Sequence, residues 1–552
     1  MRRISPPTST LDSPEQTLKD MISALDIMQG SYFQQWLGTW PDAIDWTAAV
    51  IGTQVWGALS ALTSTAPDLD LYSSETGFLF EETLAHENLI NRFFDQVSAF
   101  YFGENAFSLR MQAFDDMLWV VLGWLESIKF QNLHSELHYD SRNFTTFQRS
   151  WHGTQLRVPA AHRARVFYEL ASTGWDSDLC GGGMIWNPYL LPYKNAITNE
   201  LFISASIGMY LYFTGDPIGS PFLSSGNCQV HDPNHLAAAV RGYQWLKDSN
   251  MTGFGGLYAD GFHISGYRGI GNPGSKKCDE LNTMVYTYNQ GVILSGLRGL
   301  WLATAEQEYL DDGHELVERV IRATGWYDTD ERRWTGLGRD GVLEEICDAH
   351  GDCSQDGQTF KGIFFHHLAE FCHFLRPEEE RFLLESTTIE TSPDKRRELF
   401  NEWHLDRCAS YRSWIAHNAR AALATRNEKG KFGMWWGRLH PTRSAAGLDS
   451  SLPYGALDYS NFGQRGKGSD RLVGLLKEIQ TDLTKQAGPD EGMATKMDST
   501  LLRNQDDASQ SRTMRDVNDR GRGRTVETQS GGLAVVRAWY QWQTSPFLVE
   551  SR

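Results

Sequence analysis

The sequence predicts an all-helical fold laid out as two concentric rings of helices, and three features predict it. Seven long segments place apolar residues at three- and four-residue intervals: 44–63, 107–128, 195–216, 287–310, 358–375, 409–425 and 527–542. More polar helical stretches alternate with them, near 82–101, 161–173, 234–248, 313–324 and 391–404. No strand–turn–strand series interrupts the alternation. A helix that is apolar nearly all round belongs inside, and one that hides a single stripe belongs outside.

The elements follow in order. The first 20 residues read as a polar, Pro- and Ser-rich tail. The segment 44–63 (IDWTAAVIGTQVWGALSALT) is the first inner helix, and 107–128 is the next, with Asp115 and Asp116 near its middle. The segments 195–216, 287–310 and 409–425 each end in turn chemistry: Thr214-Gly215-Asp216, Asp311-Asp312-Gly313 and Arg426-Asn427. Gly123, Gly208, Gly296 and Gly299 interrupt the inner helices, as expected where helices approach closely. From about 438 to 526 the chain turns polar, with only 472–483 helical in pattern, and reads as a long, largely disordered insertion before the last inner helix. The chain therefore reads as one catalytic domain over 21–545 with that interruption.

Composition narrows the partners. The 552 residues are 41% hydrophobic and 12% aromatic, enough for a large core, and the 19 Trp suit both a core and a surface of flat rings for sugars. A formal net charge of −18 speaks against nucleic acid and against an anionic membrane surface. No stretch has the roughly 18 apolar residues of a membrane span. The basic start MRRIS is followed by no apolar run, so no signal peptide is visible, and the C-terminal SPFLVESR lacks the hydrophobic tail of a lipid-anchor signal. Seven cysteines form no CxxC pair, and an odd count leaves at least one unpaired in any disulfide scheme. Cys347 and Cys353 enclose five residues and can bridge in a secreted protein.

Asp115 and Asp116 carry the chemical signal. Two adjacent carboxylates repel, and Phe114, Met117, Leu118, Trp119, Val121, Leu122 and Trp124 surround them. An uncompensated buried carboxylate is costly. Glycoside hydrolysis explains such a pair: one carboxyl protonates the leaving oxygen and the other attacks the sugar or activates water. Like charges held close push one pKa up and keep an acid protonated near neutral pH. Neighbouring helix positions diverge by about 100°, so both carboxyls can flank one bond.

QAFDDMLWVVLGWLESI (112–128) resembles the signature helix of glycoside hydrolase family 76, the endo-α-1,6-mannanases. Four further segments resemble that family in order and spacing: CGGGMIWNPYLLPYKNAITNELF (180–202), TYNQGVILSGL (287–297), SQDGQTFKGIFFHHLAEF (354–371) and ETQSGGLAVVRAW (527–539). The resemblance covers roughly 30–438 and 525–545. It implies an (α/α)6 barrel of six helical hairpins, a retaining double displacement on α-1,6-mannan, Asp115 as nucleophile and Asp116 as general acid/base. It also implies secretion or a cell-wall location. No cofactor and no metal are assigned, and a monomer is expected.

Lesser candidates have two readings each. Asn195 and Asn199 share a helix face and either bond sugar hydroxyls or brace the glycine-rich loop. Trp186 stacks on a sugar or packs its loop. Asp260 holds a hydroxyl or makes an Asp-Gly turn. Asn289 and Gln290 line the cleft or cap a helix. Glu344, Glu345 and Asp348 cluster without the ligand spacing of a calcium loop. Rival functions are a cell-wall transglycosylase that moves mannan-bearing GPI anchors, another sugar enzyme on the same barrel, and a non-catalytic glycan-binding protein. A sugar epimerase needs cleft histidines, for which His366 and His367 look insufficient, and a dead relative would have lost one Asp.

Overall fold

The computed structural model describes residues 13–65, 77–139, 151–219, 229–386, 393–437, 452–461 and 516–545. Thirteen helices carry the architecture: α1 (Pro14–Ile27), α2 (Asp45–Thr65), α3 (Gly77–Ser98), α4 (Phe114–His138), α5 (Arg157–Ser172), α6 (Ala196–Tyr212), α7 (Pro233–Asp248), α8 (Val292–Thr304), α9 (Glu308–Ala323), α10 (Gln355–Cys372), α11 (Pro393–Ser410), α12 (Arg412–Leu423) and α13 (Val526–Thr544). Helices α2, α4, α6, α8, α10 and α13 pack each on the next, and α13 returns to α2 to close a ring of six. Outside it, α3 lies on α2, α5 on α4, α7 on α6, α9 on α8, α11 on α10, and α1 and α12 on α13. This is an (α/α)6 barrel.

The residues explain the partition. Helix α6 is buried along almost its whole length, whereas α7 and α9 bury one stripe and expose charged residues on the other, Lys247 and Asp248 on α7 and Asp311 and Glu315 on α9. Caps set the starts: Ser13, Asp232, Ser354 and Thr525 each accept a backbone N–H from the first turn of the helix that follows. Glycines allow close approach inside the ring. A Cβ at Gly362 of α10 would stand 2.7 Å from the Gly531 Cα of α13, and one at Gly299 of α8 would stand 2.7 Å from Ile207 of α6.

Four sequence expectations change. Helix α4 starts at Phe114, not 107, so the Asp pair lies in its first turn rather than its middle; the separate turn 106–109, capped by Asn105, precedes it. The apolar segment 409–425 becomes α12 of the outer ring, buried under α13 and the 338–343 hairpin. Helix α1 begins at Pro14, inside the stretch read as tail. Residues 452–461 and 516–526, inside the expected insertion, are described and pack on the barrel, whereas 472–483 lies outside the described residues.

Two small antiparallel sheets decorate one end. The first is β1 (Lys194–Asn195), β2 (Gly261–His263) and β3 (Glu280–Asn282), with Asn195 opposite Gly261 and Gly261 opposite Asn282. The second is the hairpin of β4 (Gly338–Arg339) and β5 (Val342–Leu343). Disulfides join Cys180 to Cys278, Cys347 to Cys353 and Cys372 to Cys408.

Candidate active site

All six inner helices point their N-termini to the same end. Asp45 begins α2, Asp115 and Asp116 fall in the first turn of α4, Asn195 precedes α6, Asn289 and Gln290 precede α8, Asp356 opens α10 and Glu527 opens α13. Helix N-termini carry spare N–H groups and partial positive charge, so a rim of carboxylates there is electrostatically favoured.

Asp116 accepts the Ala113 N–H at 3.1 Å, and Asp115 accepts the Asp116 N–H at 3.1 Å. The Trp186 backbone carbonyl accepts the Phe114 N–H at 2.9 Å, which fastens the glycine-rich loop to the start of α4. Burial pushes the Asp115 carboxyl well up, and the neighbouring Asp116 charge adds to it; a hydrogen bond from the Trp186 side chain works the other way. Burial pushes Asp116 up to about 7, helped by Asp356 and Asp45. The two carboxyls therefore titrate as a pair that retains a proton near neutral pH.

Flanking groups complete the rim. Trp46 donates its indole N–H to Asp356 at 3.0 Å and stacks on Trp119 with ring centroids 5.8 Å apart. Asp45 accepts Ser108 at 2.5 Å and Gln112 at 3.1 Å. Across the mouth, Asp260 accepts the Tyr193 hydroxyl at 2.6 Å and the Asn282 amide at 3.0 Å, and burial pushes its carboxyl up to about 7. Tyr288 lies between the two groups: its phenol is raised by burial and then by Asp260, Asp115, Asp356 and Glu200, and its ring stacks on Phe360 at 3.9 Å.

The segment 452–461 forms a wall of this mouth. Leu457 and Asn282 exchange two hydrogen bonds, Tyr286 donates to Asp458 at 2.7 Å, the Tyr459 hydroxyl and His263 Nε2 are 2.7 Å apart, and Asn461 accepts the Ser354 N–H at 2.7 Å.

The other candidates divide. Asn199 is 1% exposed and spends its amide on the backbone of Met184 and Asn195, so it braces the loop. Gln290 is fully buried and is spent on Tyr258 and Tyr286, which corrects its assignment to the cleft wall. Asn195 Oδ1 is buried with no protein partner, and Asn289 lies beside Asp260 without a well-formed hydrogen bond. Glu344 pairs with Arg339 at 2.7 Å, Glu345 accepts the Thr287 N–H, and Asp348 pairs with Lys361, so this cluster has its counter-charges within the protein. His366 and His367 are buried on α10, away from the mouth.

Sequence inspection missed Asp45, Trp46, Tyr193, Asn282, Tyr288, Asp356 and Asp458. Position was the available signal for several of them: Asp45, Trp46 and Asp356 occupy the first turn of an inner helix, as Asp115 does.

The fold and the rim define the class, an (α/α)6 protein with a buried carboxylate pair at the N-terminal mouth. The model of glycosyl hydrolase family 76 matches residues 161–393. Among curated relatives it is 25% identical over 199 residues to the mannan endo-1,6-alpha-mannosidase DFG5 of Saccharomyces cerevisiae, covering 34% of each chain. It is 26% identical over 196 residues to the mannan endo-1,6-alpha-mannosidase DCW1 of Candida glabrata, covering 34% of this chain and 35% of that one. The chain thus matches about a third of the length of these relatives. Among solved structures, an inactive variant of the α-1,6-mannanase GH76A of Salegentibacter in complex with α-1,6-mannotetrose is 17% identical, with a TM-score of 0.44 over 76% of this chain and 92% of that one. Dfg5 of Chaetomium thermophilum in complex with glucosamine is 15% identical, with a TM-score of 0.45 over 87% and 93%.

Proposed function

We propose that this protein is a retaining, endo-acting glycosidase that cleaves α-1,6-mannosidic linkages, with Asp115 as nucleophile and Asp116 as general acid/base. The observation that carries this is the buried Asp pair in the first turn of an inner helix, both carboxyls raised by burial, within a rim of carboxylates and aromatic rings. The names of the curated relatives supply the substrate class.

In the first step Asp115 attacks the anomeric carbon while Asp116 gives its proton to the departing glycosidic oxygen, leaving a glycosyl ester on Asp115. In the second step Asp116 takes a proton from water, the water oxygen attacks the anomeric carbon, and the ester bond to Asp115 breaks. A pKa near 7 suits a group that must give and then take a proton. Asp260, Asn195 and Asn289 are proposed to bond mannose hydroxyls, and Trp186 to flank the sugar at the Asp pair. Asn195 supports this with its unpartnered buried oxygen. The described residues from α1 to α13 are proposed to form one catalytic domain, and the protein to act as a monomer outside the cell or at the cell wall. Three disulfides support an oxidising compartment. Among the described residues, no helix is long and apolar enough to cross a membrane.

Reducing-end release from unbranched α-1,6-mannan tests the reading. The wild type should release short mannosides, and Asp115→Asn and Asp116→Asn should each lose roughly three orders of magnitude or more. A wild type that binds mannan without releasing reducing ends, and instead lengthens oligosaccharides, would make the protein a transglycosylase.

A further inference from the structure

A polar cavity that the proposed reaction does not use lies at the far end of the barrel, where α2, α10 and α13 finish. Its volume is about 240 Å³, and it opens to solvent past the exposed Ser64 and Leu137. Two guanidinium groups line it: Arg376, in the segment after α10, and Arg537 of α13. Among the described residues no carboxylate lines it. Its one imidazole, His373, is neutral at pH 7, because burial lowers its pKa.

The carboxylates that serve the two arginines stand outside the cavity. Arg376 lies 3.4 Å from Glu370, and Arg537 is bonded to the same carboxylate, which Lys129 of α4 also approaches at 3.7 Å. The nearby Glu379 is taken by Arg298 at 3.1 Å, and Glu126 by Lys129 at 2.9 Å. Four cations thus share three carboxylates, and only cations reach the cavity. Farther out, Arg381 pairs with Glu136, and Arg157 faces Glu378.

Unpartnered donors converge on the same walls. Arg376 Nη1, Arg537 Nε, Ser60 Oγ of α2 and Ser545 Oγ just past α13 are all buried with no protein partner. The Arg537 side chain is 2% exposed, and Ser60 and Ser545 are 3% and 4% exposed. The inner helices end here, so their last carbonyls and partial negative charge point this way. None of the four groups meets a carbonyl all the same. A buried donor left unmet is costly, and more so when it is charged. Water can satisfy the donors but not the charge.

We infer that this cavity binds a tetrahedral oxyanion of the phosphate or sulfate class, held by the guanidinium groups of Arg376 and Arg537 and the hydroxyls of Ser60 and Ser545. Guanidinium N–H groups suit such an ion in charge and geometry, and the hydroxyls add neutral donors. The cavity has room for the ion and several water molecules. The bound ion joins α2 to α13 at the base of the barrel, where the ring closes. It lies at the opposite end of the inner helices from the Asp pair, so it acts on stability rather than on the reacting sugar.

The test is calorimetric titration and thermal unfolding of the purified full chain with inorganic phosphate, at ionic strength held constant with sodium chloride. The wild type should bind one phosphate per chain, with a saturable rise in Tm of about 1–3 °C. Ser60→Ala should weaken binding about tenfold. Ser64→Glu sets a carboxylate at the exposed lip and should abolish binding; neither substitution touches the ion pairs. Glycerol phosphate separates two sources of the same chemistry. Affinity equal to that of inorganic phosphate assigns the site to the phosphoryl group of a larger molecule, lower affinity assigns it to the free ion, and both support an oxyanion site. Crystals soaked in selenate should show an anomalous peak beside Arg376 and Arg537. A rise in Tm that does not saturate, or that persists in Ser64→Glu, is the general effect of excluded salts and would overturn the site. So would a wild type that binds no phosphate, or water alone beside the two arginines in the soaked crystals.

Discussion

Asp115 and Asp116 sit where a helix has spare N–H groups, yet burial outweighs that help and both carboxyls are raised. The sign of the consequence is unusual for aspartate. A folded-state pKa near 7 for Asp116, against about 3.9 unfolded, means that the native state binds the extra proton between those values, so stability falls as pH rises through that window. Asp116→Asn should therefore melt higher than wild type at pH 8, with the gap closing at pH 4 while activity is lost at both; an equal gap at the two pH values would show that the carboxyl is not raised. Trp186 gives a second test. Its side chain lowers the Asp115 pKa, so Trp186→Phe should move the acidic limb of the kcat/KM profile to higher pH. The Asp pair was legible because two adjacent carboxylates in an apolar run demand a reason. Its place in the first turn was not, because the apolar period runs unbroken through Phe107 and Leu109 and conceals the break at Ala113.

The glycine-rich element shows what sequence order hides. Cys180, Gly181, Gly182 and Gly183 all have positive φ, and Gly183 also lies against Trp245, where a Cβ would approach to 2.5 Å. This fold of the loop turns the carbonyls of Asp176, Leu179, Gly182 and Gly183 onto the fully buried Lys194 ammonium at 2.5–2.9 Å. The glycines were legible as a loop, but Lys194 as its organiser was not, because its partners lie 11 to 18 residues back along the chain. Lys194→Met should cost about 2–5 kcal/mol, read by denaturant unfolding, since it leaves buried carbonyls without a donor. The segment 452–461 was hidden differently. Its Gly, Asp and Ser content looks like any polar linker, and only tertiary pairing with Asn282 and Ser354 gives it a place. Asp458→Ala removes the acceptor of Tyr286 and of Asn461, so KM for mannan should rise several-fold with little change in Tm.

At the scale of the barrel, the apolar period marked the six inner helices together with one outer helix, α12, but the closure of the ring was not legible. Closure joins α2 to α13, and the hydrogen bond from Thr47 to Glu527 spans 480 residues of sequence. Tyr540 and Thr65 make a second link at 2.9 Å near the other end of the same helix pair. The neighbouring contact, α10 on α13, depends on backbones meeting at Gly362 and Gly531, where no side chain can retreat to make room. An added methyl at Gly362 must displace α13 itself, and α13 carries Glu527 into the rim beside Gln355. Overpacking of this kind costs about 1–3 kcal/mol. Gly362→Ala should therefore lower Tm and kcat together, because one shift loosens the ring and moves the mouth. Gly271→Ala, in a loop where an added Cβ meets nothing within 4 Å, should leave both unchanged. If Gly362→Ala lowered Tm but left kcat at the wild-type value, the rim would tolerate movement of α13, and the active-site geometry would be set by α4 and its loop alone.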